Sequence, residues 1–578
     1  MLARFVSLAF LDRKSLPNPY DFAAFILLLA AFVAVAYGSS GLTLPLSAPE
    51  ATHISLDYGA LPYYALRTTL RMFAAIAASL VFTFTYATLA AKSQRAALVL
   101  IPLLDILQSV PILGFLSFTV TFFLHLFPGS TLGVECAAVF AIFTSQAWNM
   151  AFSFYQSLRS LPRDLVEVAN GFHLSPWQKF WQLETPYAMP ALIWNTMMSM
   201  SGGWFFVVAS EAISVGDTTV KLPGIGSYLA QAIEMRRIDA VIAAVAAMAI
   251  VILLYDQLLF RPLVVFAGKF RVELSASQTK ESSWVADLFN RTRWLRALMS
   301  MPVQTLSSIA LWRLELPFWR AQAIDKQAHS SRVLDLLWIT LIAFLSLWAL
   351  RFVIVFVGQT LTFADIQESL ILTFFTMLRV VLLMALATLV WVPIGVFIGL
   401  RPALAEKIQP LAQFLAAFPA NVVFPIVVVV IVRFGLNPDI WLSFLIIFGT
   451  QWYILFNVIA GTMAFPNDLK EAASSFGIKG WNWWTSVILP GIFPFYVTGA
   501  LTASGGSWNA AIVAESVKWG DVSIEAHGIG AYIADATAKG DYPRIVLGVT
   551  VMSIVVILFN RLVWRPLFGL AERRLRLD

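Results

Sequence analysis

Twelve stretches of this chain run without Asp, Glu, Lys or Arg for a helix length, and no other feature limits its fold so strongly. In the first half they are 22–49, 72–91, 106–134, 136–158, 185–210 and 240–255. In the second half they are 336–350, 380–400, 408–432, 440–467, 480–514 and 545–560. A helix that crosses a bilayer needs roughly 20 apolar residues. The shorter windows are extended by one tolerable end residue, as at Arg351, whose long side chain can snorkel to the interface. Only 12% of the 578 residues are charged and 59% are apolar, against about 25% charged in soluble domains. Inside hydrocarbon every backbone polar group must be satisfied within the chain, so these stretches are read as helices. The expectation is an all-α polytopic membrane protein of about twelve spans, six on each side of the middle. A cytosolic enzyme, a secreted domain and a disordered scaffold are excluded.

Basic residues set the orientation. Arg4, Arg13 and Lys14 precede the first span. Lys92 and Arg95 follow the second, Arg159, Arg163 and Lys179 the fourth, and Arg261, Lys269 and Arg271 the sixth. This alternation predicts cytoplasmic termini, although Arg67, Arg71, Arg236 and Arg237 fall on the other side. The net charge of +6 is therefore read as topology, not as nucleic-acid binding. No short signal peptide opens the chain, so no cleavage is expected. Cys136 is the one cysteine, which leaves no internal disulfide. The five histidines have no metal-ligand spacing, so no metal site is assigned. Between the halves, Lys269 to Arg332 holds ten basic and five acidic residues with interspersed Trp284, Leu288, Trp294, Leu295, Trp312, Leu316 and Trp319. That pattern suits amphipathic helices on the inner leaflet, either as a tether or as a partner-docking segment. The expected domains are 1–263, a linker 264–332, and 333–578.

The two halves are copies of each other. Shifted by 304 positions, Trp148 meets Trp452, Pro162 meets Pro466, Glu167 meets Glu471, Ala169 meets Ala473, and Trp177 meets Trp481. Gly202, Trp204 and Glu211 meet Gly506, Trp508 and Glu515, and Gly224-Ile225-Gly226 meets Gly528-Ile529-Gly530. Upstream the shift is 308, so Arg71 meets Arg379 and Pro111 meets Pro419. A parallel duplication of this kind packs around an axis along the membrane normal, with a pathway between the halves.

The matches concentrate in one cytoplasmic loop and beyond it. Pro466 and Asn467 start a short helix, and Asp468 and Glu471 sit where the helix dipole favours anions. Ala472 and Ala473 leave a close-approach surface, and Gly477 suits a left-handed stop. The first copy has Glu167, Val168 and Ala169, with His173 at the glycine position; alternatively Gly171 ends that helix early. Such a helix is too short to cross and too polar for lipid. It is shaped to lie under the membrane and enter a partner's groove.

Glu471-Ala472-Ala473, then Gly477, then Ile488-Leu489-Pro490, resembles the EAA loop of ABC importer permeases. Ser201-Gly202-Gly203-Trp204…Glu211 and Gly505-Gly506-Ser507-Trp508…Glu515, with the Gly-Ile-Gly segments, are similar to the nitrate/sulfonate/taurine branch. The resemblance implies two fused type I permease domains. Glu167, Ala169, Gly171 and His173, and Glu471, Ala472, Ala473 and Gly477, would couple to a cytoplasmic ATPase present in two copies. A periplasmic or lipid-anchored substrate-binding protein would deliver the ligand, and the bacterial inner membrane would be the site. The chain holds no G-x-x-x-x-G-K-[ST] of its own. It is thus expected to be a transport permease, not an enzyme. It would bind no cofactor itself, with ATP and Mg used by the partner.

Gly202, Trp204 and Glu211, with Gly506, Trp508 and Glu515, are the candidates for a pathway or gate. For the glycines and tryptophans the alternative is close helix packing. For the glutamates it is hydrogen bonding to the outer Gly-Ile-Gly loop. Asp105 and Gln108 are further pathway candidates. The implied cargo is a small anion or organic acid such as sulfonate, nitrate or bicarbonate. Ferric iron or thiamine, or a twelve-helix secondary carrier, stand as alternatives.

Overall fold

The structure is a computed structural model of the chain. It describes residues 18–39, 54–215, 218–270, 283–292, 304–305, 307–313, 332–463, 465 and 467–574. Each of the twelve windows contains helix among its described residues. In the first half these are α1 (Pro19–Ser39), α2 (Leu61–Lys92), α3 (Gln94–Ser109) with α4 (Leu116–Leu126), α5 (Thr131–Arg159), the short α6 (Arg163–Gly171), α7 (Thr185–Glu211), α8 (Ile225–Glu234) and α9 (Ile238–Tyr255). The linker contributes α10 (Trp284–Arg291). The second half repeats the series as α11 (Arg332–Gly358), α12 (Phe363–Gly399), α13 (Pro402–Ala417), α14 (Phe424–Phe434), α15 (Pro438–Phe448), α16 (Gln451–Met463), α17 (Asn467–Ser475), α18 (Leu489–Ala514), α19 (Ile529–Lys539) and α20 (Tyr542–Phe559).

Twelve windows do not make twelve straight spans. Among the described residues seven helices are individually long and apolar enough to cross, and eight if the bent pair α15–α16 is one span. The third window of each half is broken, for the same reason in both. Proline disfavours a helical residue before it. Val110 is extended (φ −74°, ψ 127°) ahead of Pro111, and Phe418 (φ −71°, ψ 125°) ahead of Pro419. A 3-10 turn follows each break, at Ile112–Phe115 and Ala420–Val422.

The breaks interlock the halves. A broken helix leaves backbone donors that need partners. The Ile112 N–H donates to Asn509 Oδ1 at 2.8 Å, across to the second half. Reciprocally, the Asn421 side-chain amide donates to the Phe205 carbonyl at 3.1 Å. The hydrophobic core follows suit. Ile112, Leu113, Leu116 and Val120 are buried among second-half residues such as Val428 and Ile512, and Val422 lies in the first-half core.

Two hairpins were not legible in the sequence. β1 (Ala212–Val215) pairs antiparallel with β2 (Thr218–Lys221), Ala212 opposite Lys221. β3 (Ser516–Trp519) pairs with β4 (Val522–Glu525), Ser516 opposite Glu525. They directly follow α7 and α18. Gly520 turns the second hairpin at φ +56°. Its N–H donates to the Ile233 carbonyl of the first half at 3.0 Å.

Candidate functional site

The two short loops fold alike. α6 and α17 each span nine residues. Each ends with a left-handed residue: His173 at φ +51° and Gly477 at φ +64°. Leu174 N–H donates to the Ala169 carbonyl at 3.2 Å, and Ile478 N–H to that of Ala473 at 3.0 Å. This is the reciprocal end geometry of a helix stop at glycine, achieved by histidine in the first copy. Gly171 is the last helical residue and does not shorten α6. Ala169 and Ala473 are buried, whereas Glu167, Val168, Glu471 and Ala472 are exposed. Phe172 (74% exposed) and Phe476 (81%) project from the two ends. The described linker residues bond to the first loop. Trp177 Nε1 donates to the Ile309 carbonyl at 2.8 Å, and the Gln178 amide to that of Leu311 at 2.8 Å. The described linker segment therefore lies on the face that carries the loops. Trp481, the repeat partner of Trp177, is exposed. Of the expected amphipathic positions, Trp294, Leu295, Leu316 and Trp319 lie outside the described residues.

Glu211 and Glu515 sit at the centre of buried clasps. Glu211 accepts from Arg71 at 2.6 Å, Thr68 at 2.7 Å and the Gly226 N–H at 2.7 Å. Glu515 accepts from Arg379 at 2.9 Å, Thr376 at 2.7 Å and the Gly530 N–H at 2.7 Å. The same threonines accept from the N–H of Ile225 and Ile529, each at 3.0 Å. Each clasp thus ties α2 or α12, the end of α7 or α18, and the Gly-Ile-Gly segment. Glycine is required there by close approach. A Cβ on Gly224 would fall on the Glu211 carboxylate, and one on Gly528 on that of Glu515. Both glutamates are sealed from solvent and from the contact between the halves. The geometry of both is that of hydrogen bonding to the outer loop.

The other pathway candidates divide. Trp204 is buried against Tyr255, edge-on at 5.7 Å, and Trp508 against Phe559 at 6.4 Å. Tyr255 and Phe559 are themselves repeat partners, so both indoles pack inside their own halves. Gly202 faces the seam, with the Tyr453 hydroxyl of the other half 4.0 Å from the position of a Cβ. Gly506 meets Thr450 of its own half. Gln108 is exposed on α3, and the Asp105 side chain lies outside the described residues.

A further stripe escaped the reading of single residues. Thr498, Thr502 and Gly505 are exposed on α18, and Asn509 is half-buried. Spacings of four, three and four put them on one helix face, and Asn509 marks that face as the seam. Their first-half partners are Trp194, Met198, Ser201 and Phe205. Trp194 stacks on Phe456 of the other half at 5.7 Å. Polar residues at helical period inside a charge-free window were the available signal. Among the described residues no group of three or more His, Cys, Asp or Glu could hold a metal ion.

Two copies of one helical pattern, each with an exposed short-helix loop and a clasped Gly-Ile-Gly segment, define a duplicated polytopic membrane protein. The chain belongs to the family of binding-protein-dependent transport system inner membrane components, whose pattern it matches twice, at residues 84–261 and 391–576. Among its relatives, a bicarbonate transport system permease of Synechococcus elongatus is 31% identical over 179 residues, covering 31% of this chain and 61% of that protein. A nitrate import permease of Leptolyngbya laminosa is 26% identical, covering 31% of this chain and 60% of that protein. A glycine betaine/proline betaine transport permease of Escherichia coli is 29% identical over 163 residues, covering 28% and 41%. The chain thus spans about three-fifths of the length of the first two relatives.

Proposed function

We propose that this chain supplies both membrane halves of an ATP-driven importer, with α6 and α17 as its two contacts to a pair of cytoplasmic ATPase subunits. The observation that carries the reading is the matched end geometry of α6 and α17. Two sequences that differ at the stop, His173 against Gly477, hold the same left-handed turn. A histidine in that conformation costs more than a glycine. A turn retained despite that cost suits a shape that a partner must recognise. A secondary carrier has no use for two such loops.

A substrate-binding protein on the outer face would deliver the solute to the seam between α7 and α18. The stripe Thr498, Thr502 and Asn509 would meet it there with neutral groups. Relatives that carry bicarbonate and nitrate support a small inorganic anion or small organic acid as cargo. The termini and linker would face the cytoplasm.

The test is transport by the full complex in proteoliposomes, with its ATPase and binding protein and with ATP inside. Uptake of labelled bicarbonate or nitrate that stops when ATP is omitted supports the reading. Uptake driven by a proton gradient without ATP overturns it.

A further inference from the structure

The halves differ most sharply where side chains fill one and leave the other hollow. In the second half a cavity of about 390 Å³ lies between α12 and the start of α18, walled by Thr388, Val392, Leu489, Ile492, Phe493 and Tyr496, with Thr485 at its edge. The corresponding place in the first half is packed with aromatic rings. Phe84 stands at the position of Val392 and Trp181 at that of Thr485. Their rings lie 6.1 Å apart, and Phe84 also meets Phe154 at 5.3 Å. Leu80 and Leu192 complete that packed cluster, at the positions of Thr388 and Tyr496. Val392 and Thr485 leave open the space that Phe84 and Trp181 fill in the first copy, while the facing wall is built from larger side chains, Leu489, Ile492, Phe493 and Tyr496 in place of Thr185, Ala188, Met189 and Leu192.

We propose that this cavity binds one acyl chain of an inner-leaflet phospholipid. Its walls belong to the charge-free windows 380–400 and 480–514, which place it in the bilayer. Thr485 stands ten residues beyond Ser475, the end of α17, which puts the cavity on the side of the coupling loops. Leu489 is exposed at the mouth, open to lipid. The hydroxyl groups on the wall are already committed. Thr388 donates to the Met384 carbonyl at 2.8 Å and pairs with the Tyr496 hydroxyl at 3.0 Å, and Thr485 donates to the Trp481 carbonyl at 3.1 Å. A site lined by apolar groups and spent hydroxyls has little to offer a water cluster or a polar solute. The volume falls in the range of about 300–1,000 Å³ typical of ligand sites. The occupant is a hydrocarbon chain, held by shape. The first half closes the joint beneath α7 with its own rings, and the second borrows the bilayer for the joint beneath α18.

The proposal stands apart from the transport reading and is tested by binding alone. The full chain is placed in nanodiscs containing a phosphatidylglycerol with a diazirine near the end of one acyl chain, then irradiated and digested. The expected result is label concentrated on the segment 485–496, at several times the level on its copy 181–192. In Val392→Phe/Thr485→Trp, which restores the first-half residues, the label on 485–496 falls to the level of 181–192. Equal labelling of the two segments in the unmodified chain, a comparison that needs no variant, would show ordinary boundary lipid and overturn the proposal. Undiminished label in the refilled variant, folded as judged by an unchanged elution profile, would do the same.

Discussion

The two clasps share a centre and differ in their surroundings. In the first half Glu211 and Glu135 face Arg71 and Arg67. Arg71 bonds both carboxylates, and Arg67 bonds Glu135 at 2.7 Å. Two positive and two negative groups are sealed together, all at most 5% exposed. In the second half Phe375 stands where Arg67 would be. Arg379 alone bridges Glu515 and Asp439, at 2.9 and 2.8 Å. Asp439 is 38% exposed and is met by the exposed His527 at 3.0 Å. The retained centre is the glutamate, the threonine, one arginine and the glycine N–H. The outer partner is free to change once water reaches it, because a solvated carboxylate needs no second arginine. The first clasp is rigid and balanced in charge, and the second opens to solvent.

That contrast is broken most directly at the glutamates. Glu211→Ala leaves two arginines facing one carboxylate in a dry site. Removing one partner of a buried pair costs about 3–5 kcal/mol. Glu515→Ala leaves Arg379 paired with Asp439 and should cost about 1–3 kcal/mol, the range for an unmet buried hydrogen bond. Denaturant unfolding of the purified chain in detergent checks the order. Equal losses would show that the clasps do not differ in kind.

Next in size are the glycines under the carboxylates. Gly224→Ala and Gly528→Ala should each cost about 1–3 kcal/mol from overpacking, with the larger loss in the first half, where the carboxylate has less room to move. Thermal stability of the two variants, side by side, decides it.

A smaller effect is expected to separate α6 and α17, the two proposed ATPase contacts. Gly477→Val places a β-branched residue at φ +64°, where a side chain costs roughly 1–2 kcal/mol. His173→Val starts from a residue already under part of that strain. Gly477→Val should therefore reduce substrate-stimulated ATP hydrolysis more than His173→Val, and Glu471→Ala more than Glu167→Ala. Val168, bulkier than Ala472, would also keep the first helix from seating as closely in a partner's groove. ATPase rates in nanodiscs, with and without loaded binding protein, measure the ranking. An equal or larger loss at the first loop would remove the claimed asymmetry. The smallest change is expected from His527→Ala. A contact this exposed is worth at most about 0–1 kcal/mol even when both partners are charged, so the unfolding midpoint should hardly move.

Much of this was legible before any coordinates. The twelve windows, the duplication and the positions of α6 and α17 follow from charge, spacing and identity alone. Other features were hidden by physics that pattern does not carry. Arg67 and Arg71 looked like exceptions to the orientation rule. They are buried among carboxylates 64 to 140 residues away along the chain, so they report the clasp and not the leaflet. Pro111 and Pro419 mark full breaks, where the Ile112 N–H and the Asn421 side chain reach into the other half, and sequence alone does not show that reach. The hairpins after α7 and α18 have strands of only four residues, so even the alternation of Ser516-Val517-Lys518-Trp519 and Val522-Ser523-Ile524-Glu525 is too short a pattern to stand out. The cavity beside Thr485 depends on which rings fill it, and comparison of the two copies exposes it.

The central claim is that one chain carries both halves and both ATPase contacts. Native mass spectrometry of the intact complex, purified through a tag on this chain, tests it most directly. The account predicts one copy of this chain with two ATPase subunits, and loss of ATPase subunits when α6 and α17 are both disrupted. Two copies of this chain for each pair of ATPase subunits would contradict it.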